Sequence, residues 1–168
     1  TAAPGNAGHG LSQAMMSQGL RLGDELHDAI ASGLGQIGYD IVPVDVARKK
    51  PSELMKTYRG FPVDADAALD VAIQQSTYES RIWGKIGPSL TITVRLAGLP
   101  SGRQLFLRTY RYDPSAATIG YTILRPPERF LFETPEGVLA RPEMAAEGFR
   151  AVIPMIVADL KSTFDTES

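Results

Sequence analysis

Asp64, Asp66 and Asp70 share one parity, so an extended chain carries them on one face, where carboxylates could hold a divalent cation. The segment lacks the following glycine and distal Glu of a calcium loop, and the three read as exposed carboxylates at the start of a strand. Gly33-Leu34-Gly35-Gln36-Ile37-Gly38 spells the dinucleotide pattern G-x-G-x-x-G. A phosphate-cradling loop follows a strand and opens a helix, so that free amides point at the anion. Here the glycines close a helical stretch and lead into Tyr39, so they read as a helix terminus. His27 stands beside Asp28 with no second His at helical spacing, and His9 lies in a tract of small residues. With no Cys, thiolate zinc sites, disulfides and cysteine nucleophiles fall away. Neither a G-x-S-x-G elbow nor a G-K-[ST] phosphate loop occurs. The expectation is a chain that is not an enzyme, with no cofactor and no metal.

Binding chemistry has better candidates. Arg48-Lys49-Lys50 with Lys56 and Arg59 forms the only basic cluster, read as a solvated loop or as a contact for anionic headgroups or an acidic partner. Residues 103–112 alternate Leu105 and Leu107 on one face with Phe106, Arg108, Tyr110 and Tyr112 on the other. Two registers are open at the preceding turn, Leu99-Pro100-Ser101-Gly102. A two-residue loop puts Leu105 and Leu107 in the core beside Leu96 and Val94, with Phe106 and Tyr110 beside Arg95 and Thr91 outside. A bulge at Gly102 shifts the register by one and turns the aromatics inward. Turn chemistry favours the bulge and hydrophobic patterning the two-residue loop. Following the patterning, Arg95, Phe106, Arg108 and Tyr110 are expected to form an outward strip that binds a partner, because aromatic and Arg side chains dominate interface hot spots.

The elements that would position this strip follow from periodicity. Leu11, Met15, Leu22, Leu26, Ile30, Leu34 and Ile37 trace one helical face, firm from Leu22 and closed by Gly38. Residues 39–46 alternate as a strand, at an edge or bulged at Pro43, which cannot donate to a ladder. Pro51 suits the opening of a short helix through Tyr58. Leu69, Val71 and Ile73, then Leu90, Ile92, Val94 and Leu96, keep the period of strands, and a weak strand fits residues 119–124. A last helix spans 142–164, kinked at Pro154. Strands gathered between terminal helices predict an α+β two-layer sandwich. Its sheet has about four strands, mixed or antiparallel, with two long helices on one face.

The chain has 168 residues, one ordinary core's worth, and 17 Lys+Arg against 19 Asp+Glu give a net charge of -2. No block of like charges is long enough for bulk electrostatic attraction, so no nucleic-acid partner is expected. Residues 1–10, rich in Gly and Ala, cannot repay their ordering entropy and read as a flexible tether to a single α+β domain over 11–168. Such a tether before a compact domain is what remains of a bacterial lipoprotein once its lipid-bearing Cys is cut away, or it is a trimmed boundary of a cytosolic protein; composition fits both.

The segments Leu22-Gly23-Asp24-Glu25-Leu26 through Gly38-Tyr39-Asp40-Ile41-Val42, then Asp66-Ala67-Ala68-Leu69-Asp70-Val71, and the hairpin around Ser101-Gly102 resemble those of uncharacterised Gram-negative outer-membrane lipoproteins. The layout is similar to the lipopolysaccharide-assembly lipoprotein and to the amino-terminal domain of the Tol-system propeller protein. It departs from the former in placing a helix before the first strand. The resemblance implies a non-catalytic module on the periplasmic face of the outer membrane, anchored through a lipid on a Cys absent from this chain. Its expected role is binding an envelope protein partner, with a carrier of a small amphiphile or a soluble enzyme subunit as alternatives.

Overall fold

The computed structural model describes residues 20–46, 50, 52–115 and 119–165. The expected tether, the helical pattern before Leu20, and Arg48 and Lys49 of the basic cluster lie outside these residues.

The first helix, α1 (Leu22–Gln36), carries Asp24 and Glu25 in its first turn, where the helix dipole favours negative charge, and buries Leu26, Ile30 and Leu34. It closes as a Schellman motif. The amide of Tyr39 donates to the carbonyl of Leu34, that of Gly38 to Gly35, and Gly38 sits at φ 101°, which only glycine adopts at little cost. The G-x-G-x-x-G run is therefore a helix end, as its context predicts. Gly33 is needed for packing, since a Cβ there would lie 2.5 Å from Val157 Cγ1.

Residues 39–46 form no strand. Pro43 has no amide to pair, Ile41 and Val42 are exposed, and Tyr39 donates its hydroxyl to the Phe164 carbonyl. The short helix expected to open at Pro51 is absent from residues 52–58, and Pro51 itself lies outside the described residues. The Met55 amide, which a helix would direct at the carbonyl four residues back, donates to the Asp70 carboxylate.

The sheet has the order β1-β2-β3-β4, with β1 (Ala67–Ile82), β2 (Lys85–Gly98), β3 (Gln104–Tyr112) and β4 (Thr122–Leu124). The first three are antiparallel and β4 runs parallel to β3, so the sheet is mixed. Ile86 also exchanges both backbone hydrogen bonds with Phe132. Trp83 and Gly84, at φ 49° and 77°, make the tight turn between β1 and β2, the positive-φ geometry of a two-residue hairpin loop.

After one 3-10 turn at Glu128–Phe130 come α2 (Pro135–Ala140), α3 (Pro142–Arg150) and α4 (Val152–Asp165). The expected single last helix is interrupted at Ala151, three residues before Pro154. The cause is local: the proline ring has no amide and crowds the carbonyl four residues back, that of Arg150. Leu26, Ile30 and Leu34 of α1 and Phe149, Val152, Ile156 and Leu160 of α3 and α4 join Val71, Ile92, Val94 and Tyr110 in one core. The chain is thus an α+β two-layer sandwich with its long helices on one face of a mixed four-stranded sheet. Arg150 ties α3 to Glu25 of α1 at 3.0 Å.

Candidate functional site

The parity of β3 decides which side chains reach the surface. Ala97 pairs with Gln104, but Leu96 pairs with Phe106, so Leu105 is an extra residue and the register slips by one there. Beyond the slip, Arg95 faces Leu107, Val94 faces Arg108 and Ile92 faces Tyr110. Phe106, Arg108 and Tyr110 therefore lie on the helix-covered side, and Leu107 lies on the other side with Arg95. This corrects the outward strip expected from hydrophobic patterning. The Gly102 turn does have φ 74° with a hydrogen bond from its amide to Gly98, but the bulge itself falls three residues later.

The inward placement works because α4 offers matching partners. Arg108 Nη1 lies 2.6 Å from Asp159 Oδ2 and 2.9 Å from Thr163 Oγ1, and the Tyr110 hydroxyl donates to the same Asp159 oxygen at 2.6 Å. Phe106 meets the Phe164 ring edge-on, with centroids 5.1 Å apart, and lies under the Arg108 guanidinium. Burial, with Asp159 second, raises the Tyr110 phenol above its ordinary value, and the hydrogen bond to Asp159 holds the Arg108 guanidinium charged. Leu105 and Leu107 remain 54% and 49% exposed. Aliphatic side chains lose less by facing water here than an Arg and a Tyr would lose by leaving Asp159.

Arg95, the fourth member of the expected strip, stands apart from the other three. It lies opposite Asp70 across the β1–β2 pair, with Nη2 3.9 Å from Asp70 Oδ2. Its Nε donates to the Tyr58 hydroxyl at 2.9 Å, Nη2 donates to the Met55 carbonyl, and its guanidinium lies over the Tyr58 ring. Asp70, 2% exposed, also accepts from the Met55 amide at 2.6 Å and from the Tyr58 hydroxyl at 3.0 Å. These bonds pin residues 52–61 against the sheet, where Tyr58, Ala68 and Ala97 form a second small core. Burial raises the Tyr58 phenol; the hydrogen bond from Arg95 opposes this and Asp70 adds to it.

Beside this cluster opens a pocket of about 190 Å³ lined by Lys56, Thr57, Arg59, Arg95, Ser101 and Gln104, among others. At the opposite hairpin a second, wider opening of about 380 Å³ lies between Ile82, Trp83, Pro114, Arg125, Pro126 and Leu131, with Trp83 84% exposed.

The aspartates do not converge, because Asp70 is buried while Asp64 and Asp66 are exposed. Among the described residues no group of three or more His, Asp or Glu side chains is placed to hold a metal ion. His27 is exposed on α1, and no described helix is long and apolar enough to cross a membrane. The sequence reading missed Asp159 and the Asp70–Arg95 pair. Only the latter had a signal, since opposite charges on two strands predicted to be neighbours are candidates for direct pairing. No family model, curated protein or solved structure matches this chain.

Proposed function

We propose that the chain is a non-catalytic partner-binding module of the bacterial envelope, and that its partner pairs with the edge of β3. The observation carrying this reading is that edge. β4 pairs only with Tyr110, Arg111 and Tyr112, so among the described residues the outer edge of residues 104–109 has no strand beside it. Two half-exposed leucines, Leu105 and Leu107, stand on it. An open edge flanked by apolar side chains is the template for β-strand addition, in which main-chain hydrogen bonds supply affinity and side-chain contacts supply choice. The favoured partner is an extended protein segment with apolar residues at alternate positions. The lipid anchor and the periplasmic face of the outer membrane remain part of the proposal and rest on the resemblance.

A photo-reactive amino acid at Leu107, in the full gene product expressed in its own cells, tests the binding surface. A discrete adduct is expected, suppressed when Leu105 is changed to Lys and absent when the probe is moved to exposed His27. Identical adducts from both positions would sink the proposal. Metabolic palmitate labelling and envelope fractionation of the same product test the anchor.

A second reading, carriage of a small amphiphile, is favoured by the opening beside Trp83, lined by Ile82, Pro114, Pro126 and Leu131 together with Ser115, Arg125 and Glu128. Trp83 is the only Trp in the chain, so its emission reports directly on occupancy. A saturable blue shift on titration with a lysophospholipid supports carriage, and an unchanged spectrum removes it.

A further inference from the structure

We propose that the pocket between residues 56–59 and the β2–β3 turn binds a phosphoryl group, with Arg95 at its base and Lys56 and Arg59 at its sides. This site shares only Gln104 with the β3 edge and does not depend on the partner reading.

The base is already organised. Arg95 has five N–H donors in a fixed fork. Its Nε and Nη2 are held by the Tyr58 hydroxyl and the Met55 carbonyl, and Asp70 stands 3.9 Å from Nη2. These contacts fix the guanidinium plane and engage one edge of it. Nη1 has no acceptor among the described residues, although the side chain is only 22% exposed and contributes to the pocket wall. A guanidinium held through Nε and Nη2, with Nη1 free, can donate from a fixed plane to an oxyanion.

The charge balance points the same way. Asp70 offsets Arg95, and no Asp or Glu lines the pocket. Lys56 and Arg59 are exposed, and among the described residues neither forms an ion pair. The pocket thus presents two uncompensated positive charges around a fixed donor fork. Thr57, Ser101 and Gln104 also line the pocket, and their side chains carry further donors. A carboxylate offers one charge and two oxygens. A phosphate monoester offers three free oxygens in a tetrahedron and up to two charges, which matches two free cations beside a fixed guanidinium; a diester keeps the tetrahedral spread with two oxygens and one charge. Such a group could arrive on a lipid headgroup or on a free phosphorylated compound; the chemistry of recognition is the same.

The test uses the 168-residue chain, isotopically labelled, titrated with inorganic phosphate at constant ionic strength held by chloride. Saturable shifts are expected at the Thr57, Ser101, Gly102 and Gln104 amides and at the Arg95 side chain. Lys56→Gln with Arg59→Gln alters exposed side chains only and leaves the remaining spectrum in place. It should weaken binding roughly tenfold or more, the ratio for losing at least one charge-assisted hydrogen bond. Co-sedimentation with phosphatidylglycerol vesicles, absent with phosphatidylcholine vesicles and lost in the double variant, assigns the phosphoryl group to a lipid. Phosphate binding without co-sedimentation assigns it to a soluble compound. Shifts that fail to saturate, or that persist unchanged in the double variant, overturn the proposal.

Discussion

Replacing Asp70 by Ala removes the carboxylate that fastens residues 52–61 to the sheet. Oδ2 of this side chain, 2% exposed, accepts the Met55 amide at 2.6 Å and the Tyr58 hydroxyl at 3.0 Å, and faces Arg95 Nη2 at 3.9 Å. The Tyr58 hydroxyl still accepts from Arg95 Nε but loses its own acceptor. Removing one member of a buried ion pair costs roughly 3–5 kcal/mol, because the remaining charge is left desolvated. Arg95 keeps 22% of its side chain in water, which recovers part of its hydration, so the lower end applies, about 3 kcal/mol. For a domain of this size that corresponds to a melting temperature lower by roughly 6–12 °C. Asp70→Asn keeps an acceptor and should cost about half as much. Asp70→Leu combined with Arg95→Met leaves no buried charge and should regain the part of the loss due to the unpaired guanidinium, but not the hydrogen bonds of Met55 and Tyr58. Urea unfolding supplies the free energies, and hydrogen exchange at the Met55 amide reports the anchoring directly. A loss for Asp70→Ala within about 0.5 kcal/mol, the range of ordinary surface changes, with Met55 still protected, would show that the cluster does not hold the segment.

Stability should fall steeply in alkali. Burial holds the phenols of Tyr78, Tyr110 and Tyr112 above their ordinary value, so the folded chain retains protons that the unfolded chain releases above about pH 10. Stability from these groups is complete below that pH. It is lost as pH rises toward the folded values, by roughly 1.4 kcal/mol per pH unit for each tyrosine; a flat unfolding free energy to about pH 11 would contradict this. Changing both Phe106 and Tyr110 to Ser should cost more than about 3 kcal/mol in urea unfolding, since both pack under α4; a loss below about 1 kcal/mol would return them to the surface. Gly148→Ala puts a Cβ 2.0 Å from the Tyr78 hydroxyl oxygen and should cost roughly 1–3 kcal/mol. Tyr78→Phe, which removes that oxygen, should make the same change cheaper, and equal costs in the two backgrounds would refute the packing argument.

Local chemistry carried much of the fold. The apolar face of α1, its closure at Gly38, the strand periods of β1 and β2 and the hairpin at residues 99–102 are all set within a few residues, and each stands where the sequence places it. Pro154 predicts a kink in one last helix; the structure instead has two helices parted at Ala151, the residue beside the carbonyl that proline crowds. Residues 39–46 and 52–61 were illegible because the bonds that anchor them reach across the fold. The Met55 amide goes to Asp70, the Tyr39 hydroxyl to Phe164, and neither contact has a local trace.

The parity of β3 is where the sequence stops deciding. Leucines on one face and Phe, Arg and Tyr on the other leave two answers that differ by one residue. Hydrophobic count chooses the leucines for the core, because it treats an Arg and a Tyr as costly to cover. That cost depends on whether their polar tips find partners, and Asp159 and Thr163 stand about fifty positions further along, on a helix packed over the strand. Once α4 docks, the slip at Leu105 satisfies the Arg and Tyr and turns Leu107 to the open face. The side chains of each element were readable from their order in the chain; which of them face solvent was settled by the charge on a neighbouring helix, because only folding brings that charge within hydrogen-bond reach.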